Sequence, residues 1–165
     1  MYREILTKAI IAKGEKEFLD VHEEKTDKNL SKALGCWVIN HCYKAIKNNN
    51  QIIIEGNYDV YLWFGYEKDS KCDLIKYTQA FSDEIPYTLT DNVQLDENIE
   101  IKSFVLKQPV CIAMTFKDDT ILTKIERKYS IDLVGETKLT IKVSEVNIDK
   151  MINTNYIQEI KKTDK

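Results

Sequence analysis

The chain has 165 residues, with 24 Lys+Arg against 27 Asp+Glu and a formal net charge of −3, which suits one domain with a real core and offers no basic surface for nucleic acid. Hydrophobic residues make up 43% and charged residues 31%, the balance of a folded soluble protein, and no apolar run is long enough to insert in a bilayer. The opening MYREILTKAIIAKG lacks the long apolar stretch and small-residue cleavage site of a secretory signal, so synthesis in the cytosol is expected.

Residues 2–13 fit a helix through Ile5, Ala9 and Ala12 and an alternating strand through Ile5, Ala9 and Ile11; strand is the favoured reading. Residues 14–34 are polar, without sustained period, and read as an exposed connection in which His22 has no assigned role. The run GCWVINHCY from Gly35 reads as a strand, with Trp37, Ile39, His41 and Tyr43 on one side and Cys36, Val38, Asn40 and Cys42 on the other. A histidine beside Trp37 and Ile39 is more often a hydrogen-bonded structural residue than a base. KNNNQ, ending at Gln51, is turn chemistry and makes a hairpin between this strand and the next.

Residues 52–66, IIIEGNYDVYLWFGY, hold the strongest signal: Ile52, Ile54, Tyr58, Val60, Leu62, Phe64 and Tyr66 recur at period two, the mark of a long strand. The other face carries Glu55, Asn57 and Asp59, then Tyr61 and Trp63. The strand therefore starts half-solvated and ends apolar on both sides, and a second layer or another molecule must cover that end. EKDSK turns the chain into the alternating CDLIKYTQAF, and residues 82–98 read as a loop with one short edge strand. Four further strand-like segments come after it at 99–106, 110–116, 121–134 and 137–143, with a tight turn at KDDT and a bulge or corner at Gly135. Residues 149–161 place Met151, Ile152, Tyr156, Ile157 and Ile160 near helical spacing. The expected architecture is all-β: an antiparallel sandwich or partly closed barrel of about eight strands with a short C-terminal helix. One β domain spans 1–146, and 147–165 forms the helix or tail.

No nucleophile elbow, phosphate-cradling loop or zincin motif occurs, and the five glycines stand singly. The acidic pairs Asp83/Glu84, Asp96/Glu97 and Asp118/Asp119 fall in predicted turns or loops. Cys36, Cys42, Cys72 and Cys111 lack paired metal-site spacing and read as free thiols; Cys36 and Cys42 are too far apart along one strand to bridge, while partners in other strands stay open. We therefore assign no catalytic residue, no cofactor and no metal. Nine tyrosines and long strands suit association instead, with Tyr61 and Trp63 the better interface candidates. A different reading is a small-ligand or carbohydrate-binding barrel that stacks its ligand on Trp37, Tyr61 and Trp63.

Five phrases in order, YREILTKAIIAKG, GCWVINHCY, IIIEGNYDVYLWFGY, FVLKQPVCIAMTF and IERKYSIDLVGETKLTIKV, together resemble the outer spore coat morphogenetic protein E family of endospore-forming Firmicutes. The resemblance covers residues 2–143. It implies a non-enzymatic scaffold, made in the mother-cell cytoplasm and carried to the spore coat at the forespore surface. Such a scaffold forms homo-oligomers, meets the coat-basement ATPase and recruits outer coat proteins, with no nucleic acid and no membrane insertion. One departure stands out: the family's tail is markedly acidic, whereas residues 144–165 carry four acids and four lysines. If clients dock at this end, Met151, Ile152, Tyr156, Ile157 and Ile160 are the expected surface.

Overall fold

The computed structural model describes residues 1–90 and 95–144. The described residues form seven strands: β1 (Tyr2–Lys25), β2 (Leu30–Asn48), β3 (Gln51–Tyr66), β4 (Lys71–Ile85), β5 (Thr88–Leu89), β6 (Glu100–Lys117) and β7 (Thr120–Lys142). Two compact units are present, Lys8–Gly135 and a smaller one made of Met1–Thr7 with the chain from Glu136.

Within Lys8–Gly135 the strands make a three-stranded sheet of order β2-β3-β4 and a four-stranded sheet of order β5-β1-β7-β6. The two sheets stack as a sandwich and do not close into a barrel. Period-two patterning explains the stack: β3 buries Ile52, Ile54, Tyr58, Val60, Leu62 and Phe64, and β7 answers with Ile121, Ile125, Tyr129, Ile131 and Leu133. Each aliphatic side chain fully buried here contributes about 1.5–3 kcal/mol relative to exposure. Polar ties cross the interior as well, from Tyr58 Oη to Asp20 Oδ2 (2.5 Å), between Tyr77 Oη and Thr123 Oγ1 (3.1 Å), and from Tyr43 Oη to Ser103 O (3.4 Å).

The hairpins predicted at 47–51, 67–71 and 117–120 are present. Their turns use left-handed residues at Asn49, at Glu67, Lys68 and Asp69, and at Asp118. The Ser31 hydroxyl ties the second turn, donating to Asp69 Oδ1 (2.5 Å) and accepting from Asp69 N (3.0 Å). In the smaller unit β1 and β7 end as hydrogen-bonded neighbours, and Val143 N donates to Met1 O (2.9 Å). Tyr2, Leu6 and Leu139 of that unit are exposed.

Four expectations change. Residues 14–34 are not a connection: β1 runs on to Lys25, and only residues 26–29 turn. The segments 99–106 and 110–116 are one strand, β6, which passes through Pro109 at a register irregularity. A proline without an N–H is tolerated there because β6 is an edge strand. Residues 121–134 and 137–143 likewise join in β7, where Gly135 makes room: a Cβ there would lie 2.8 Å from Ile11 Cδ1. Finally, β2 does not keep one face. A register shift between Ile39 and Cys42, with Asn40 at φ 56°, leaves Trp37 and Ile39 outside but turns His41 and Tyr43 inward. The helix expected at 149–161 lies outside the described residues, as does the boundary expected at 147.

Candidate interaction surface on the three-stranded sheet

The outer face of the β2-β3-β4 sheet divides into two halves, as the long strand predicted. In the register Trp37 stands opposite Tyr61, Gly35 opposite Trp63, and Trp63 opposite Leu74. Side chains of all three strands therefore converge: the Trp37 and Trp63 rings meet edge-on with centroids 6.3 Å apart, and Lys76 Nζ lies 5.5 Å from the Tyr61 ring centre. Gly35 leaves space beside its neighbour, and Trp37 Cη2 would be 3.5 Å from a Cβ there. Trp37 is 55% exposed, Ile39 47% and Leu34 45%, while Tyr61 and Trp63 are half-buried by their neighbours. Several large apolar groups side by side on one flat sheet face is the pattern of a contact surface rather than of scattered apolar exposure.

The other half of this face is polar and organised by Asp59. Its Oδ2 accepts from Asn40 Nδ2 (2.9 Å) and its Oδ1 from Thr78 Oγ1 (2.6 Å), with Lys76 Nζ at 3.9 Å. The Asn40 bond, then the Thr78 bond, hold this carboxyl below its ordinary pKa, and Lys76 adds to the effect. Lys44 and Glu55 pair further along (3.1 Å). The bulge at Asn40 thus serves both halves, capping Asp59 and ending the apolar stripe after Ile39.

The outer face of the other sheet is arranged differently. Leu19 and Val21 on β1 and Leu106 and Ile112 on β6 are exposed, but ion pairs run between them: Lys107 with Glu126 and Glu17, and Lys128 with Glu15 (3.6 Å). Charge divides that face, so it offers a less continuous apolar surface.

Among the described residues the interior holds a charged cluster around Arg127 that sequence reading missed. Arg127 is 1% exposed; its Nε and Nη2 donate to Asp20 (2.8 and 3.1 Å), and Nη2 also donates to Asp83. The guanidinium carbon lies 4.0 Å from the Phe81 ring centre and 4.6 Å from that of Phe18. Two carboxylates from different strands do converge, therefore, but on an arginine that occupies both. His41 sits beside the cluster, reaching Gln108 Oε1 through Nδ1 and the Tyr129 hydroxyl through Nε2, both at 2.8 Å. The neutral Nδ1–H tautomer satisfies both contacts, and partial burial, then the Arg127 charge, keep the His41 pKa below its ordinary value against the pull of Gln108. This is the structural role expected of it. His22 stacks on Tyr77 at 3.9 Å and meets Glu24 Oε2 at 2.7 Å.

Trp37, Tyr61 and Trp63 line neither of two grooves of the Lys8–Gly135 unit. A 660 Å³ groove is lined by residues around Pro86, Phe104 and Asp132, and a 440 Å³ one by residues around Tyr43, Gly56 and Phe81. The three rings proposed as a stacking platform lie on the outer face of the β2-β3-β4 sheet. Among the described residues no three of the His, Cys, Asp and Glu side chains gather as a metal would require. The residues Met151, Tyr156, Ile157 and Ile160, predicted to receive clients, lie outside the described part of the chain.

The family model for outer spore coat protein E (CotE) matches residues 1–165. No curated protein and no solved structure matches the chain.

Proposed function

The chain belongs to the outer spore coat protein E (CotE) family over its whole length, and from that premise we propose that it works as a non-enzymatic scaffold that binds copies of itself and recruits other proteins of the outer spore coat. The family is one of structural coat proteins, which places the protein in the outer coat. What supports the scaffold reading is the joined apolar and aromatic surface of Leu34, Trp37, Ile39, Tyr61, Trp63 and Leu74, of which Leu34, Trp37, Ile39 and Leu74 are exposed among the described residues and which suits a flat partner. Tyr61 and Trp63 are the centre of the proposed self-contact. The stripe Met151, Tyr156, Ile157 and Ile160 is the proposed client surface, in place of an acidic tail.

In this reading the protein is made in the mother-cell cytoplasm, meets the coat-basement ATPase at the forespore surface, and spreads by self-association. The buried pairing of Arg127 with Asp20 and Asp83 suits a structural part, since it ties strands β1, β4 and β7 together. Size-exclusion chromatography with light scattering on the full chain tests the proposal. A mass that rises with concentration across the micromolar range is expected, and a strictly monomeric chain over that range overturns self-association.

A further inference from the structure

The edges of the two sheets meet along a seam between β2 and β6, the outermost strands on that side. The seam has side-chain rungs in a fixed order: Tyr43 Oη donates to Ser103 O (3.4 Å), and His41 Nδ1 meets Gln108 Oε1 (2.8 Å). As β2 is followed backwards, β6 is followed forwards, and the next rung is Cys36 against Cys111. Both side chains pack against the core at this seam, and each shifts the other's pKa. Each sits at an irregularity of its own strand, next to the register shift between Ala33 and Gly35 in β2 and at the one between Cys111 and Ala113 in β6, and bulges re-aim side chains in this way. Both thiols are half-buried against the core. By contrast Cys42 and Cys72 are exposed, and Cys42 Sγ donates to Asn57 Oδ1 (3.3 Å).

We propose that Cys36 and Cys111 are a redox modification site, a dithiol that a small-molecule disulfide oxidises to an intrachain disulfide joining the two sheets at the β2/β6 seam. The interaction between the two sulfurs lowers the Cys111 pKa and raises that of Cys36, where burial adds to the rise, and Cys111 Sγ donates to Ala113 O (3.3 Å). Cys111 is therefore the first nucleophile. Its thiolate attacks one sulfur of the oxidant RSSR and expels RS⁻, leaving a mixed disulfide on Cys111. Cys36 then loses its proton and attacks the Cys111 sulfur, forming the Cys36–Cys111 bond and expelling the second RS⁻. Two protein thiols are oxidised and one RSSR is reduced to two RSH. The product closes a loop that spans most of the strands and so restricts the unfolded chain more than a local bridge would. The inference stands on the seam geometry and does not depend on how copies assemble.

The test uses the full-length chain and a C42S/C72S variant, reduced and then treated with oxidised glutathione. In the variant the expected result is loss of both remaining thiols, no retained glutathione, a monomer on non-reducing gels, and a linked peptide pair containing Cys36 and Cys111. The thermal midpoint should rise by several degrees and return on adding dithiothreitol. Adding C36S should leave one glutathione trapped on Cys111. The wild-type chain should give the same linked peptides, so the outcome does not rest on the variants alone. Glutathione held by Cys36 and Cys111 as separate adducts, dimers linked through either residue, or two unreacted thiols overturns the proposal.

Discussion

Replacing Arg127 by Met removes the one cation that, among the described residues, stands against Asp20 and Asp83 inside the Lys8–Gly135 unit. Asp20 keeps its bond from Tyr58 (2.5 Å), but it loses two from the guanidinium, and Asp83 loses its arginine partner. Breaking a buried ion pair on one side costs about 3–5 kcal/mol. The aspartate side chains are 20% and 37% exposed, so water offsets part of the penalty and the lower end applies. Lost stacking on Phe18 and Phe81 adds about 0.5–1 kcal/mol for each ring, while the methionine recovers some apolar contact. The net expectation for Arg127→Met is a loss of about 3–4 kcal/mol. Urea unfolding followed by circular dichroism measures it, and comparison with a triple variant isolates the cause. If the penalty comes from stranded carboxylates, R127M/D20N/D83N should be more stable than R127M by at least about 1 kcal/mol. An R127M variant within about 1 kcal/mol of wild type, or no recovery in the triple variant, would refute the reasoning.

Gly56→Ala should be destabilising by about 2–4 kcal/mol, because a Cβ there would stand 2.0 Å from Cys42 O and one of the two strands must move; thermal unfolding checks it. His41 predicts a pH effect with a definite sign. Its folded pKa lies below the ordinary value of 6.5, chiefly through burial, so as pH falls through that value the unfolded chain binds a proton that the folded chain refuses. Stability contributed by this site is full above that pH and declines below it, until the folded histidine also titrates. His41→Asn should flatten the stability profile between about pH 7 and pH 5.5, and unchanged steepness in that window would remove histidine as its source.

Much of the architecture was legible because period two is a local property. The alternation of residues 52–66 gave both the core face of β3 and the change from Glu55, Asn57 and Asp59 to Tyr61 and Trp63 on its outer face. The turns were legible through Asn and Asp, which accept left-handed backbone. β1 beyond Gly14 was not read as strand because its polarity is inverted: Asp20 and His22 point inward to Arg127 and Tyr77, while Leu19 and Val21 face out. That pattern makes sense only with the opposing sheet in place. The face change in β2 comes from one irregularity near Asn40, and nothing short-range in INHCY announces it. Arg127 did leave a signal, since period two in ILTKIERKYSIDL puts it in line with Ile125 and Tyr129 on the buried face. An arginine at such a position implies carboxylate partners from other strands; Asp20 was hidden in the inverted stretch of β1, and Asp83 was read as a loop residue although it lies on β4. The Cys36–Cys111 approach depends on how two separate sheets meet and has no counterpart in local spacing.

The claim that the outer face of the β2-β3-β4 sheet joins copies of this chain is tested most directly by sedimentation velocity. Wild type and Trp37→Ser/Trp63→Ser are compared over the same micromolar series, with matching thermal midpoints showing that both are folded. The account predicts sedimentation coefficients that grow with concentration for wild type and stay at the monomer value for the double variant. Assemblies of equal size from both proteins would contradict it.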